Sequence, residues 1–277
     1  MKHTIILVLT LFAFNSFSNS SYYPTDYKLA FNKKTFKNEK LKEKLFILLE
    51  SKHVYKKGKD DVLVNHCGEA KTGNCYGQRD LGYKGARKVL FGKIHLGENR
   101  DGYFVKDVYC RKTFTNRETN VGPNIIPNSN LINCEHTWPQ SKFSGRFSKG
   151  LQKSDLNHLY PTDSRANSVR GNFEFSDVDG EEVHDCEGSY SGVGDNGQRS
   201  FEPPNEHKGN VARAIFYFSV RYQMDVSPEQ EATLKRWHIA DPVDREEAER
   251  NEWIHKIQGN RNPFIDYPQL VSSVQDF

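Results

Sequence analysis

A single mixed α+β domain is what this sequence predicts, and three observations carry that prediction. Residues 38–51 and 209–222 show the apolar spacing of helices. Residues 103–109 have strand composition, and residues 171–206 are rich in Gly, Ser, Asp and Asn with short strand-like pieces such as Phe173-Glu174-Phe175. No internal repeat and no low-complexity linker divides the chain. Apolar residues make up 36% of the 277, with 18 Phe and 13 Tyr, so a real core is available. Charged residues are 27% and the net charge is +3, too small by itself to establish a polyanionic partner.

The N-terminus precedes the fold. Met1-Lys2-His3 is a short basic start, residues 4–14 (TIILVLTLFAF) are an apolar run, and Ser18-Asn19-Ser20 offers a cleavage site. That is the layout of a secretory signal over residues 1–20, leaving residues 21–277 as one exported domain. A membrane span requires about 18 or more consecutive apolar residues, and no stretch of this chain reaches that. The expectation is a secreted or periplasmic monomer with no membrane association and no protein partner.

Residues 38–51 (NEKLKEKLFILLES) carry Leu41, Leu45, Leu48 and Leu49 at offsets of four, seven and eight, with Asn38 placed to cap the helix. Ten lysines fall between Lys33 and Lys59. They read first as a solvated face and second as a basic flank for phosphates. Residues 81–91 (LGYKGARKVLF) predict a second helix weakened by two glycines, and residues 103–109 a strand leading to Cys110. A loop full of Asn, Gly and Pro spans residues 115–130. Past the strand-rich stretch, residues 209–222 (GNVARAIFYFSVRY) predict a helix apolar nearly all round, hence deeply packed. Residues 229–237 and 243–258 complete a helical C-terminal part, separated by Asp241-Pro242.

Five cysteines remain: Cys67, Cys75, Cys110, Cys134 and Cys186. In an exported chain they read as two disulfides and one free thiol. Cys67 and Cys75 are near enough in sequence to bridge locally, but sequence leaves the pairing open. Neither a CxxC pair nor an HExxH occurs, which argues against zinc.

Catalytic-type side chains concentrate in two segments. One is Cys134-Glu135-His136-Thr137-Trp138-Pro139-Gln140-Ser141. The other runs from Asp155-Leu156-Asn157-His158 through Asp163 and Asn167 to Arg170-Gly171-Asn172. Either segment alone is weak, because an isolated histidine is more often structural than catalytic. Taken together, and with Asp107-Val108-Tyr109-Cys110, Phe201-Glu202-Pro203-Pro204, the run 209–214 and the run 258–264, they resemble the bacterial endonuclease I family. These are exported, nonspecific nucleases of the ββα-metal (His-Me finger) class. The resemblance spans about residues 76–268.

The resemblance implies a ββα-metal finger with a largely helical surround. It implies that Glu135 and Asn167 ligate one Mg²⁺ and that His136 is the general base. Hard oxygen donors with room for water and phosphate suit magnesium, and an imidazole of near-neutral pKa suits a base. The substrates implied are DNA and RNA, held through phosphates and therefore read with little sequence preference. The family's phosphate-stabilising arginine is matched by Arg146 in the connecting loop, which Lys142 and Lys149 flank as candidate phosphate contacts. Arg170, three residues after Asn167, suits either a substrate phosphate or a structural ion pair. Asn157-His158 reads as a hydrogen bond holding the motifs together. Trp138, Tyr160 and Phe173 read as local core rather than base-stacking platforms, and Arg261 and Asn262 as anchors of the tail. Two rivals remain: an extracellular ribonuclease with weak activity on DNA, and a nucleic-acid-binding protein that has lost catalysis. Binding alone requires none of Glu135, His136 and Asn167, which argues against the second.

Overall fold

The computed structural model describes residues 20–70 and 74–277. The apolar run of the expected leader lies outside them. Helices α1 (Thr25–Asn32) and α2 (Asn38–Glu50) come first. α2 buries the expected leucines, Leu41, Leu45, Leu48 and Leu49. Asn38 does not cap it: the cap position is Lys37 with no side-chain bond. The Asn38 carboxamide oxygen instead accepts the backbone N–H of Gln275, 3.0 Å away, tying the tail to this helix. Lys33, Lys34, Lys37, Lys40, Lys56, Lys57 and Lys59 are exposed, as a solvated face requires.

Strands β1 (Lys52–Val54), β2 (Val62–Val64) and β3 (Cys75–Tyr76) form a small antiparallel sheet in the order β2-β1-β3. The Cys67–Cys75 disulfide closes the connection into β3. α3 (Gly82–Val89) is shorter than its sequence suggests and unwinds into a π-turn over Leu90–Ile94. A second sheet follows, β4 (Leu96–Asn99), β5 (Gly102–Lys106) and β6 (Thr113–Thr115), in sequential order. The strand expected through Tyr109 stops at Lys106 because the next carboxylate organises a turn. Asp107 accepts backbone N–H bonds from Tyr109, Cys110, Lys112 and Asp163. Burial nevertheless pushes the Asp107 carboxyl above its ordinary range.

β7 (Ile132–His136) pairs antiparallel with β8 (Leu159–Asp163), and α4 (Lys149–Lys153) lies in the connection between them. α5 (Ser164–Arg170) leaves β8 directly. The last sheet contains β9 (Glu174–Phe175), β10 (Val178–Glu182), β11 (Tyr190–Gly194) and β12 (Arg199–Glu202). Its order is β10-β11-β12-β9, and only the β12–β9 pair is parallel. Four helices complete the chain: α6 (Asn205–Tyr222), α7 (Pro228–Ala240), α8 (Arg245–Gln258) and α9 (Pro263–Asp266).

α6 is the axis of the larger core, with 14 of its 18 residues buried, as its all-round apolar pattern implies. Its one fully buried cation, Arg213, is paired with Glu247 of α8 at 2.6 Å. A second core gathers Ala86, Leu90, Val105, Phe114, Ile132, Leu156 and Leu159, so β7 and β8 run along its edge. The tail is anchored as expected. Arg261 grips Asp266 through two nitrogens, and Asn262 caps α9 while donating to the Arg213 carbonyl. The second disulfide, Cys110–Cys186, ties the turn after β5 to the loop before β11. Cys134 is the free thiol, buried, and burial holds it up at about 12. No helix among the described residues is long and apolar enough to cross a membrane.

Candidate active site

The register of β7 on β8 places Glu135 opposite Tyr160 and His136 opposite Leu159. β8 ends at Asp163, whose carboxylate caps α5 by accepting the N–H groups of Arg165 and Ala166. Lys112 steadies that carboxylate at 3.0 Å. α5 ends at Gly171, where φ is +56°, a conformation that favours glycine. The result is strand, strand, helix, with one short cleft between the end of β7 and the exposed side of α5. The cleft has a volume of about 370 Å³, and Glu135, His136, Gln140, Asn167, Arg170 and Asn172 stand in its wall.

Glu135 is 2% exposed. Its Oε1 accepts the Tyr109 hydroxyl at 2.9 Å and faces Arg170 Nη1 at 3.2 Å. Burial raises the carboxyl above its ordinary range, against the pull of Arg170 and the tyrosine hydroxyl. Oε2 has no hydrogen bond among the described residues. The side chain of half-buried Asn167 likewise makes none. Two oxygen donors without protein partners therefore share the cleft, a set that fits a hard, water-carrying cation rather than zinc. Among the described residues there is no cluster of three or more His, Cys, Asp or Glu side chains that could hold a metal alone, so water and substrate would have to complete the shell.

His136 is 5% exposed. Its Nε2 lies 3.1 Å from the Lys153 carbonyl oxygen, and its Nδ1 lies 3.3 Å from Gln140 Nε2. A carbonyl only accepts, so Nε2 carries the proton and Nδ1 keeps the lone pair. The expected near-neutral pKa is not what this surround produces. Burial above all, with His158 next, lowers the imidazole to about 3. The ring is therefore neutral at working pH. His158 is fully buried and bonds the Gln152 carbonyl at 2.8 Å. The two motifs are joined here through the main chain, the His158 carbonyl accepting the N–H of Thr137, while the Asn157 side chain bonds Asp155.

Arg170, left between two roles by the sequence, turns inward. It is 2% exposed, and it donates to the carbonyls of His136, Thr137 and Gly171 besides pairing with Glu135. Its planar fork is spent inside the protein, so the ion-pair role is the one the geometry realises. Lys142, Arg146 and Lys149 are exposed, and none stands in the wall of this cleft. Arg146 faces solvent because Gln152 draws the loop inward, bonding the N–H and carbonyl of Ser144 and the carbonyl of Phe147. Trp138 and Tyr160 are buried, as core residues should be. Phe173 differs: it is half-buried, and the Arg199 guanidinium sits 5.0 Å from its ring centre.

Three neighbours of the site were not legible in the sequence. Tyr109 orients Glu135, Gln140 faces the basic nitrogen of His136, and the Tyr83 ring lies 5.5 Å from the His136 ring. Lys153 and Arg87 both stand over Tyr83, at 4.4 and 4.5 Å. Gln140, inside the first motif, and Tyr109, inside the Asp107–Cys110 segment, had a signal to find them by; Tyr83 had none.

Known proteins are similar to this chain in sequence. An extracellular ribonuclease of Bacillus subtilis (strain 168) is 39% identical over 160 residues, which cover 51% of this chain and 53% of that protein. An extracellular deoxyribonuclease of Aeromonas hydrophila is 36% identical over 115 residues, 41% of this chain and 49% of the relative. An Endonuclease-1 of Buchnera aphidicola subsp. Acyrthosiphon pisum (strain APS) is 29% identical over 199 residues, 64% of this chain and 78% of the relative. This chain thus spans about half the length of the first two. The Endonuclease I family profile matches residues 76–269. That segment is more than half of the chain and contains every residue lining the cleft, and so the chain belongs to the endonuclease I family.

Proposed function

We propose that this protein is an exported endonuclease that hydrolyses phosphodiester bonds of DNA and RNA with little sequence preference, using a ββα-metal finger formed by β7, β8 and α5. The observation that carries this reading is the state of His136, a neutral imidazole pinned through Nε2–H to the Lys153 carbonyl, its Nδ1 lone pair facing only the Gln140 amide, in one cleft with a paired carboxylate and an unpartnered amide. Water attacks phosphorus while Nδ1 takes its proton. The bond from phosphorus to O3′ breaks, leaving a 5′-phosphate and a 3′-hydroxyl. Glu135 and Asn167 would hold a single Mg²⁺, which when bound polarises the phosphate and offsets charge on the leaving oxygen. Tyr109 and Arg170 keep the Glu135 carboxylate aimed into the cleft. Gln140 keeps the imidazole plane fixed. Phosphate contacts carry no base information, which accounts for weak sequence preference.

Export is supported by the leader-like N-terminus, the two disulfides and the extracellular naming of the relatives. Those relatives divide between ribonuclease and deoxyribonuclease names, so the sugar preference of this chain needs its own test. Duplex DNA and structured RNA should be incubated in parallel with the purified mature protein, in magnesium and in EDTA. Cleavage of both, abolished by EDTA and yielding 5′-phosphate ends, is the expected result. Cleavage of RNA alone moves the activity to a ribonuclease, and cleavage in EDTA removes the metal from the mechanism.

A further inference from the structure

Beside the catalytic cleft lies a second concavity of about 380 Å³, walled by Lys142, Asn172, Phe173, Gln198 and Arg199 among others. Asn172 stands in the wall of both, so the two hollows are neighbours along one surface. Two cations face this second hollow uncommitted: neither Lys142 Nζ nor the Arg199 guanidinium has an ion pair or hydrogen bond among the described residues, although both residues are exposed. Arg199 instead stands over the Phe173 ring, 5.0 Å from its centre. The carboxylate that could have neutralised it, Glu174, is taken up by Asn196 and Ser227 at 3.1 and 2.9 Å. Glu229 stays on the rim in the first turn of α7.

A half-buried phenyl ring with a guanidinium over it, and a free lysine and the free Gln198 amide alongside, is the chemistry that holds one nucleotide. The base stacks on the aromatic and guanidinium planes, and the cations take the phosphate. We propose that Phe173, Arg199 and Lys142 form a subsite for a nucleotide flanking the scissile phosphate, so that the enzyme grips an unstacked strand on one side of the cut. Gln198, exposed and with its side-chain amide free, sits at the edge of that base. This subsite rests on the nuclease reading above. It makes a single-stranded or locally unpaired segment the preferred substrate, because a base inside a duplex cannot reach the ring without leaving its stack.

The test walks one abasic residue through a labelled single-stranded oligonucleotide and maps cleavage in magnesium. It is run for wild type, Phe173→Ala, Phe173→Trp and Arg199→Ala. Wild type should show a notch in its cleavage ladder at a fixed distance from the abasic residue, with kcat/KM at that linkage lowered about 5- to 100-fold. Phe173→Ala should erase the notch and Phe173→Trp restore it. Arg199→Ala should raise the dissociation constant for the intact strand in EDTA by a similar factor and make it less dependent on salt. Arg199 is exposed and without a polar partner, so its replacement reads binding rather than folding even if Phe173→Ala proves unstable. A ladder without a notch in wild type, or Arg199→Ala binding as wild type does, overturns the subsite and leaves the nuclease reading standing. A wild type that cleaves no nucleic acid overturns both.

Discussion

The guanidinium of Arg170 and the carboxylate of Glu135 stand 3.2 Å apart, each side chain only 2% exposed. The pair joins the last residue of α5 to the strand that carries His136. Removing one partner of a buried pair strands the other charge, at a cost of about 3–5 kcal/mol. Arg170→Ala should therefore lower the urea midpoint sharply, and Arg170→Lys should recover only part of the loss because the carbonyl bonds need the fork. The salt dependence of DNA binding by the fraction of Arg170→Gln protein that folds should equal that of wild type. A shallower salt slope would mean that Arg170 touches a substrate phosphate after all.

His136→Ala should remove cleavage by about 10²–10⁴-fold while leaving the dissociation constant for an oligonucleotide in EDTA within a few fold, since a general base acts in the transition state. Single-turnover cleavage and fluorescence anisotropy make the two measurements. Retained cleavage would transfer the proton-accepting role to another group.

Glu135→Ala and Asn167→Ala should each weaken magnesium binding in a calorimetric titration, and raised magnesium should partly restore cleavage by Asn167→Ala. Both offer an oxygen to the cleft that has no hydrogen-bond partner among the described residues. Unchanged magnesium affinity in both variants would remove them as ligands.

The two disulfides should differ in consequence. Cys110–Cys186 closes 76 residues of separation, against 8 for Cys67–Cys75, and the longer loop constrains the unfolded chain more. It also braces Tyr109, whose carbonyl accepts the Ser189 hydroxyl and whose own hydroxyl orients Glu135. Replacing both Cys110 and Cys186 with Ser should cost about 2–5 kcal/mol and lower cleavage by the protein that remains folded. Replacing Cys67 and Cys75 should spare activity. Peptide mapping without reductant should find Cys134 as the free thiol, protected from alkylation until the protein unfolds.

Stability should fall as pH drops below about 6.5, the ordinary histidine value. Burial, with Arg250 next, lowers His207 to about 3, and burial with Arg213 lowers His238 to about 4. Both are neutral in the fold, so below their unfolded value the unfolded chain binds protons that the native state refuses. The stabilisation is thus complete above about 6.5 and is lost as pH falls toward 4 and 3, by on the order of 1 kcal/mol per pH unit for each ring. Urea midpoints at pH 7.5 and 5.5 should show the decline, and His207→Gln should flatten it. A midpoint independent of pH across that interval would mean that the rings already carry protons in the fold.

Local signals sufficed wherever one stretch of chain decides its own conformation. The leucine stripe of α2 and the all-round apolar pattern of α6 were both legible, because periodicity is short-range. Glu135, His136 and Asn167 were candidates from the sequence because each of their motifs is a contiguous stretch, and they do share one cleft. Tertiary packing decided the rest. The inward turn of Arg170 depends on carbonyls of Thr137 and His136, just past β7 and at its end, 33 and 34 residues away in sequence. The low His136 pKa depends on burial, which no string of neighbours specifies. The loop arginine, Arg146, faces water because Gln152 pulls its loop inward, and Phe173, taken for core, keeps part of its ring at the surface under Arg199. Composition and spacing determined which side chains this protein has for its chemistry. Desolvation and long-range hydrogen bonds decided which of them face the cleft and in what state of charge.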